Sequence, residues 1–197
     1  MDLPWISLEQ VHDAGVVTVA GPGDGDGATA DAAITTAAGV ALTVRAADCA
    51  TVLLAGEGAF GVVHAGWRGL RAGVIDAAVE ALRALGHPPR SAVLGPCIRG
   101  RCYEFDDPAR DDLADVLGSS VLATTAWGTP ALDLAAGVVA ACAAHGLSVD
   151  DPGTCTACSP RHWSHRARSD GARHALVAWM EPGDSTIGRG STVNSSP

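Results

Sequence analysis

The chain predicts an α+β fold, or a layered α/β/α domain, rather than a regular βαβ array. Strand-like runs crowd its first half, helical periodicities come mainly after them, and 197 residues suffice for one domain with a sizeable core. Val16–Val19 reads as the first strand and runs into the turn-rich loop 21–27, GPGDGDG. That loop lacks the lysine and following helix of a phosphate cradle, and it is too short for a calcium-binding EF-hand. Strand-like runs follow at 32–36, 40–46 and 51–55, and a fourth at 60–64 comes after the turn Gly56-Glu57-Gly58. Leu70, Val74, Ala78, Leu82 and Leu85 mark a helix over 69–85, stopped by Gly86. A short buried strand at 91–94 is closed by Gly95-Pro96, and helices are predicted over 107–117 and 133–145. The last strand is 174–180. A single domain over 1–181 is expected, and the Gly/Ser/Thr-rich 182–197 is expected to be a disordered tail.

Composition narrows the function classes. Hydrophobic residues make up 47% and charged residues 18%, which is globular. A formal net charge of -9 argues against a nucleic-acid or anionic-membrane binder, but leaves room for a locally basic pocket holding a small anion. All 13 basic residues are arginine, so lysine-dependent chemistry (Schiff bases, pyridoxal phosphate, Walker A loops) is excluded. No apolar run reaches the ~18–20 residues that span a bilayer. The start has no signal-like segment, and six scattered cysteines do not form a small disulfide scaffold. These features predict a cytoplasmic protein with reduced thiols.

The chemistry concentrates in Arg45-Ala46-Ala47-Asp48-Cys49 and Val63-His64-Ala65-Gly66-Trp67-Arg68-Gly69, with a second imidazole upstream in Gln10-Val11-His12. Cysteine with neutral histidine suits zinc or copper, and the same pair can make a thiolate nucleophile. Two His and one Cys would leave a tetrahedral zinc one open position, as in catalytic sites. Asp48 puts a carboxylate into an apolar segment, where an unpaired charge is expensive. Arg68 at a helix start offers an anion site, and Trp67 a stacking face.

These segments fall in order with Gly95-Pro96-Cys97-Ile98, Tyr103-Glu104, Asp133-Leu134, Cys155-Thr156, Ser164-His165-Arg166 and Asp170-Gly171. Together they resemble the bacterial YfiH-type laccase-domain family, from about Gln10 to Met180. Members of that family were labelled polyphenol oxidases and are regarded as purine nucleoside phosphorylases; one branch is linked to peptidoglycan editing. The resemblance implies a layered α/β sandwich similar to the cytotoxic necrotizing factor toxins, with His12, Cys49 and His64 as zinc ligands. It also implies phosphorolysis of adenosine, inosine, guanosine or methylthioadenosine, with adenosine deamination as a side activity. Family members carry a longer stretch before the Gln-Val-His segment, so the expectation here is either that part of the usual sheet and pocket wall is missing or that the start codon is misassigned. Many also have Ser-Tyr-Arg-Arg where this chain has Ser164-His165-Arg166-Ala167-Arg168.

On this reading Arg68 holds phosphate, Trp67 lines the substrate site, and Asp48 orients a ligand or carries a proton. A multicopper oxidase would need about ten histidines in His-x-His pairs; the chain has seven and no such pair. Copper can still occupy a His/Cys site. Two rival readings are a Cys49–His64 thiol hydrolase or amidase and a peptidoglycan-editing accessory factor. Cys155-x2-Cys158 followed by His162 and His165 has the spacing of a small zinc knot, but Cys155 and His165 already have places in the family pattern, so a second metal is not expected there.

Overall fold

The computed structural model describes residues 3–181 and 187–193. In chain order its elements are β1 (Trp5–Ser7), β2 (Val16–Val19), β3 (Ala32–Thr35), β4 (Ala41–Ala46), β5 (Ala50–Gly56) and β6 (Ala59–Ala65), then α1 (Trp67–Ala72), α2 (Val74–Ala84) and β7 (Pro89–Leu94). After these come α3 (Ala109–Leu117), β8 (Leu122–Thr124), β9 (Pro130–Leu132), α4 (Leu134–Ala144), β10 (Ser148–Asp150), α5 (His165–Arg168), β11 (His174–Met180) and β12 (Ile187–Val193). A mixed sheet runs β10-β7-β5-β6-β3-β2, with antiparallel neighbours at its centre and parallel pairs at both rims. A second sheet runs β1-β4-β11-β12, and β8 with β9 forms a small hairpin.

The period-2 alternation of β6 explains the layering. Ala59, Val63 and Ala65 point into a core shared with α2 and α4, whereas Phe60 and Val62 enter the core between the two sheets. Every residue of β6 is buried. A strand covered on both faces has no polar alternation to show, which is why it reads as a nearly continuous apolar run. Truncating the fully buried Phe60 to Ala would cost about 3–5 kcal/mol. The result is the α+β single domain that the sequence predicts; its layers, one sheet between a second sheet and a helical layer, differ from the α/β/α order that was the other expectation.

Two expectations are corrected. The helix predicted over 69–85 is two helices broken at Gly73, whose φ of 82° is the left-handed conformation that glycine adopts without penalty. Leu70 and Val74 lie on opposite sides of the break yet face the same core, so the apolar period runs through it. The segment expected to be disordered supplies β12, which pairs antiparallel with β11 from His174↔Val193 to Met180↔Ile187. Backbone pairing needs few apolar residues, and Ile187 packs against the core between the sheets. The rest of 182–197 lies outside the described residues.

Candidate metal centre

His12, Cys49 and His64 converge where the loop after β1, the turn before β5 and the end of β6 meet. Their ligand atoms all lie within 4.8 Å of one another, with Cys49 Sγ 3.8 Å from His12 Nε2. The two imidazoles meet edge to face with centroids 4.8 Å apart. Gly66 makes this closeness feasible: a Cβ there would come within 2.9 Å of His12 Cδ2 and 3.1 Å of Cys49 Sγ. His12 has a left-handed backbone, φ 66°, uncommon for a residue with a side chain.

The group that holds this arrangement is Asp31, at the N-terminal edge of β3 and fully buried. Its carboxylate accepts from the backbone N–H groups of Val11, His12 and Asp13 at 3.1, 3.0 and 2.8 Å. The same carboxylate accepts from His64 Nδ1 at 2.7 Å. One side chain therefore shapes the loop that presents His12 and sets the tautomer of His64, leaving Nε2 of His64 available to a metal. A carboxylate behind a histidine ligand is the usual way to orient the ring and raise its basicity. Sequence reasoning missed Asp31. The signal was available, because a lone carboxylate in Ala30-Asp31-Ala32-Ala33-Ile34 invites the same desolvation argument applied to Asp48.

The electrostatics follow from these contacts. Burial alone would push the Cys49 thiol up, but hydrogen bonds with His12 and His64, and their charges, bring it down to about 7. Burial disfavours protonated His64, yet Asp31 and Cys49 raise it to about 9. Burial likewise opposes ionised Asp31, and its four hydrogen-bond donors hold the carboxyl below the usual range. The trio thus pairs a thiolate with an imidazolium when only protons are present. Its donor set, one sulfur and two imidazole nitrogens with a fixed tautomer, fits zinc, and copper also favours such ligands.

The centre opens into a cleft of about 580 Å³ whose wall also carries Gln10, Arg45, His165 and Arg173. Gln10 is clamped to Arg45 in both directions, its Nε2 donating to the Arg45 carbonyl and its Oε1 accepting from the Arg45 N–H, each at 2.8 Å. Residues 1–181 match the family described as "Multi-copper polyphenol oxidoreductase laccase". The chain belongs to this family. Purine nucleoside phosphorylase ORF3 of Streptomyces griseus is 41% identical over 181 residues, covering 88% of this chain and 73% of that protein. Purine nucleoside phosphorylase SCO2081 of Streptomyces coelicolor is also 41% identical over 181 residues, covering 88% of this chain and 74% of that protein. Among solved structures, Bacillus licheniformis hypothetical protein YfiH superposes with a TM-score of 0.80 at 24% identity, covering 90% of this chain and 74% of that one. YlmD from Geobacillus stearothermophilus gives 0.75 at 29% identity, covering 94% and 73%.

Within this family member, the remaining residues singled out from the sequence are placed differently from one another. Trp67 and Arg68 do not line the cleft. Trp67 packs edge to face on Phe105 at 5.4 Å, and the Arg68 guanidinium lies 4.5 Å over the Trp67 ring. Asp48 is buried with φ 96°, and both its oxygens are engaged: Thr156 Oγ1 donates at 2.7 Å and the Arg166 N–H at 2.6 Å. Those bonds tie the turn before β5 to the loop that leads into α5, and α5 begins with His165. Asp48 is thus placed to position, with its oxygens turned to the loop rather than to the cleft lining. Of the cleft arginines, Arg45 heads the segment noted in the sequence but was given no role there, and Arg173 was not singled out. They are far apart in sequence and become neighbours only when β11 pairs with β4.

The spacing Cys155-x2-Cys158-x3-His162-x2-His165 does not close into one cluster. His162 Nδ1 lies 2.8 Å from Ser159 Oγ, and His165 belongs to the cleft. Cys102 joins Cys155 and Cys158 instead. Among the described residues, no helix is long and apolar enough to cross a membrane.

Proposed function

We propose that the chain is a zinc-dependent purine nucleoside phosphorylase that cleaves adenosine, inosine, guanosine or methylthioadenosine with phosphate. The observation that carries this reading is a carboxylate-backed His/Cys/His trio at one wall of a cleft that also carries two arginines. Its support from kinship is the 41% identity to proteins named purine nucleoside phosphorylase. A cleft of about 580 Å³ lies within the roughly 300–1,000 Å³ of typical small-ligand sites.

In phosphorolysis a phosphate oxygen bonds to the ribose C1′ while the bond from C1′ to the purine nitrogen breaks, and the electron pair leaves with the base. Arg45 and Arg173 are the groups on the lining that can hold the phosphate through charge-assisted hydrogen bonds. They take the role that the sequence reading gave to Arg68. Gln10 fixes the strand that presents Arg45. His165 is the titratable side chain on the far wall, suited to hydrogen-bond the departing purine, and Asp48 positions it through the Arg166 N–H. His12, Cys49 and His64 would hold a zinc ion, which would supply Lewis acidity toward a ribose hydroxyl or a purine nitrogen, chemistry that adenosine deamination would also use.

A second reading has one specific observation in its favour. Without a metal, Cys49 with His12, His64 and Asp31 has the make-up of a thiolate hydrolase. Metal content of the purified protein, with adenine and ribose 1-phosphate followed by chromatography, separates the two. Zinc near one equivalent or more, and phosphate-dependent adenine release lost in Cys49→Ala, supports the phosphorylase. Metal-free protein with an alkylation-sensitive Cys49 and no adenine release would transfer the assignment to the hydrolase. In the phosphorylase, Arg173→Ala raises the KM for phosphate while Arg68→Ala leaves it close to the parent value.

A further inference from the structure

On the other side of the loop that Asp48 restrains, three thiols approach each other with no role in the cleft. Cys102 lies in a 3-10 turn over Gly100–Cys102, and Cys155 and Cys158 flank a turn that begins where the backbones of Cys97 and Cys155 pair as an isolated parallel β-bridge. All three sulfurs lie within 4.8 Å, with Cys102 Sγ and Cys158 Sγ 3.2 Å apart. The Cys155 sulfur accepts from the backbone N–H groups of Arg99, Ala157 and Cys158, which oppose the effect of burial and hold the thiol below its ordinary value. Donors aimed at a sulfur stabilise a thiolate, the form a metal binds. The turn is also held in place: a Cβ on Gly100 would come within 2.7 Å of Ala123 Cβ. Of the three, only Cys155 is held down in this way; burial and the neighbouring sulfurs push Cys102 up to about 12, as burial does Cys97 and Cys142, to about 12 and about 11.

We propose that Cys102, Cys155 and Cys158 form a second metal site, a three-thiolate site for zinc. Cys102 also borders an adjoining cavity of about 660 Å³, whose wall includes Ala157, Glu104 and Arg166. Three sulfur donors select a thiophilic cation over magnesium or calcium, and zinc takes a tetrahedral set that a solvent molecule completes. Binding forms three metal–sulfur bonds, and any thiol protons pass to the buffer. The site joins the 3-10 turn to the 155–158 turn, two segments otherwise held only by noncovalent contacts.

The test uses full-length protein, stripped with chelator under a phosphine reductant, reloaded with Zn2+ and weighed by native mass spectrometry. The parent chain is expected to hold about two zinc ions, and Cys49→Ala and Cys158→Ser about one each. Loading with Co2+ gives a second readout, since sulfur-to-cobalt absorption in the near ultraviolet persists in Cys49→Ala and falls sharply in Cys158→Ser. Cys158 is exposed, so its serine variant is the one expected to fold; circular dichroism checks this, and Cys102→Ser repeats the measurement. Cys158→Ser binding as much zinc as the parent would overturn the proposal, as would a reductant-resistant Cys102–Cys158 disulfide. The cleft assignment stands or falls separately, because Cys49→Ala removes its ligand and leaves all three thiols of the second cluster.

Discussion

At the cleft, one buried carboxylate orients two of the three ligand-bearing residues; at the thiol cluster no side chain plays that part, and backbone N–H donors face one sulfur, that of Cys155. The contrast teaches what each region tolerates. A side-chain support tunes the proton on His64 and the pose of its ring, but one substitution removes it. A backbone support cannot be mutated away, so the thiol cluster depends on its cysteines and on the turns that carry them. The cleft is built for adjustable chemistry and the cluster for holding.

The largest expected effect breaks the cleft alone. Asp31→Asn leaves His64 without its counter-charge in a buried setting, at a cost of about 3–5 kcal/mol. Zinc affinity at the cleft should fall roughly 10–100-fold, measured by chelator competition, with uptake by the thiol cluster unchanged. Equal weakening of both centres would undo the contrast. Gly66→Ala comes next, because the added methyl must displace His12 or Cys49; overpacking of this kind costs about 1–3 kcal/mol and is read from thermal unfolding. Asp48→Asn keeps a residue that tolerates the left-handed backbone but loses one acceptor, so stability should drop by about 1 kcal/mol. Faster hydrogen exchange at the Arg166 amide would be the local sign of that loss.

The smallest effect sharpens the electrostatics. His64 is raised from 6.5 to about 9, so its contribution to stability is full below 6.5 and lost as pH rises through about 9. Cys49 is lowered from 9.0 to about 7, so its contribution is full above 9.0 and lost as pH falls through about 7. Between those limits the metal-free centre carries a thiolate and an imidazolium. Zinc binding there should release about one proton, from His64, measured calorimetrically in buffers of different ionisation enthalpy. A release of two at pH 8 would mean that Cys49 is still a thiol.

How much of this was legible in the sequence depends on locality. The seven strands β2–β7 and β11 and the ends of α4 were readable because period and punctuation agree there: Asp133 caps the helix by accepting from the Ala136 N–H at 3.1 Å, and Gly146 follows its end. Very short strands such as β1, β8 and β9 hold too few residues for a period to show. His12, Cys49 and His64 stood out by residue type and by family resemblance, and they do converge. Asp31 did not: its apolar neighbours hint at burial, but its partners are the backbone N–H groups of residues 11–13 and His64, which no local spacing links to it. Cys102 was passed over for His162 and His165 because sequence spacing favours near neighbours, whereas sulfur clusters form wherever turns meet.

Asp48 is next to Cys49 in the chain, and Thr156 is next to Cys155. The 2.7 Å hydrogen bond between Asp48 and Thr156 is thus a short mechanical bridge from one sulfur centre to the other. Occupancy of either centre restrains an end of that bridge, which makes the pair subject to reciprocity. On the two proposed assignments, whatever factor a metal on the thiols lends to a metal in the cleft must be returned in full, since the two sites then share one thermodynamic cycle.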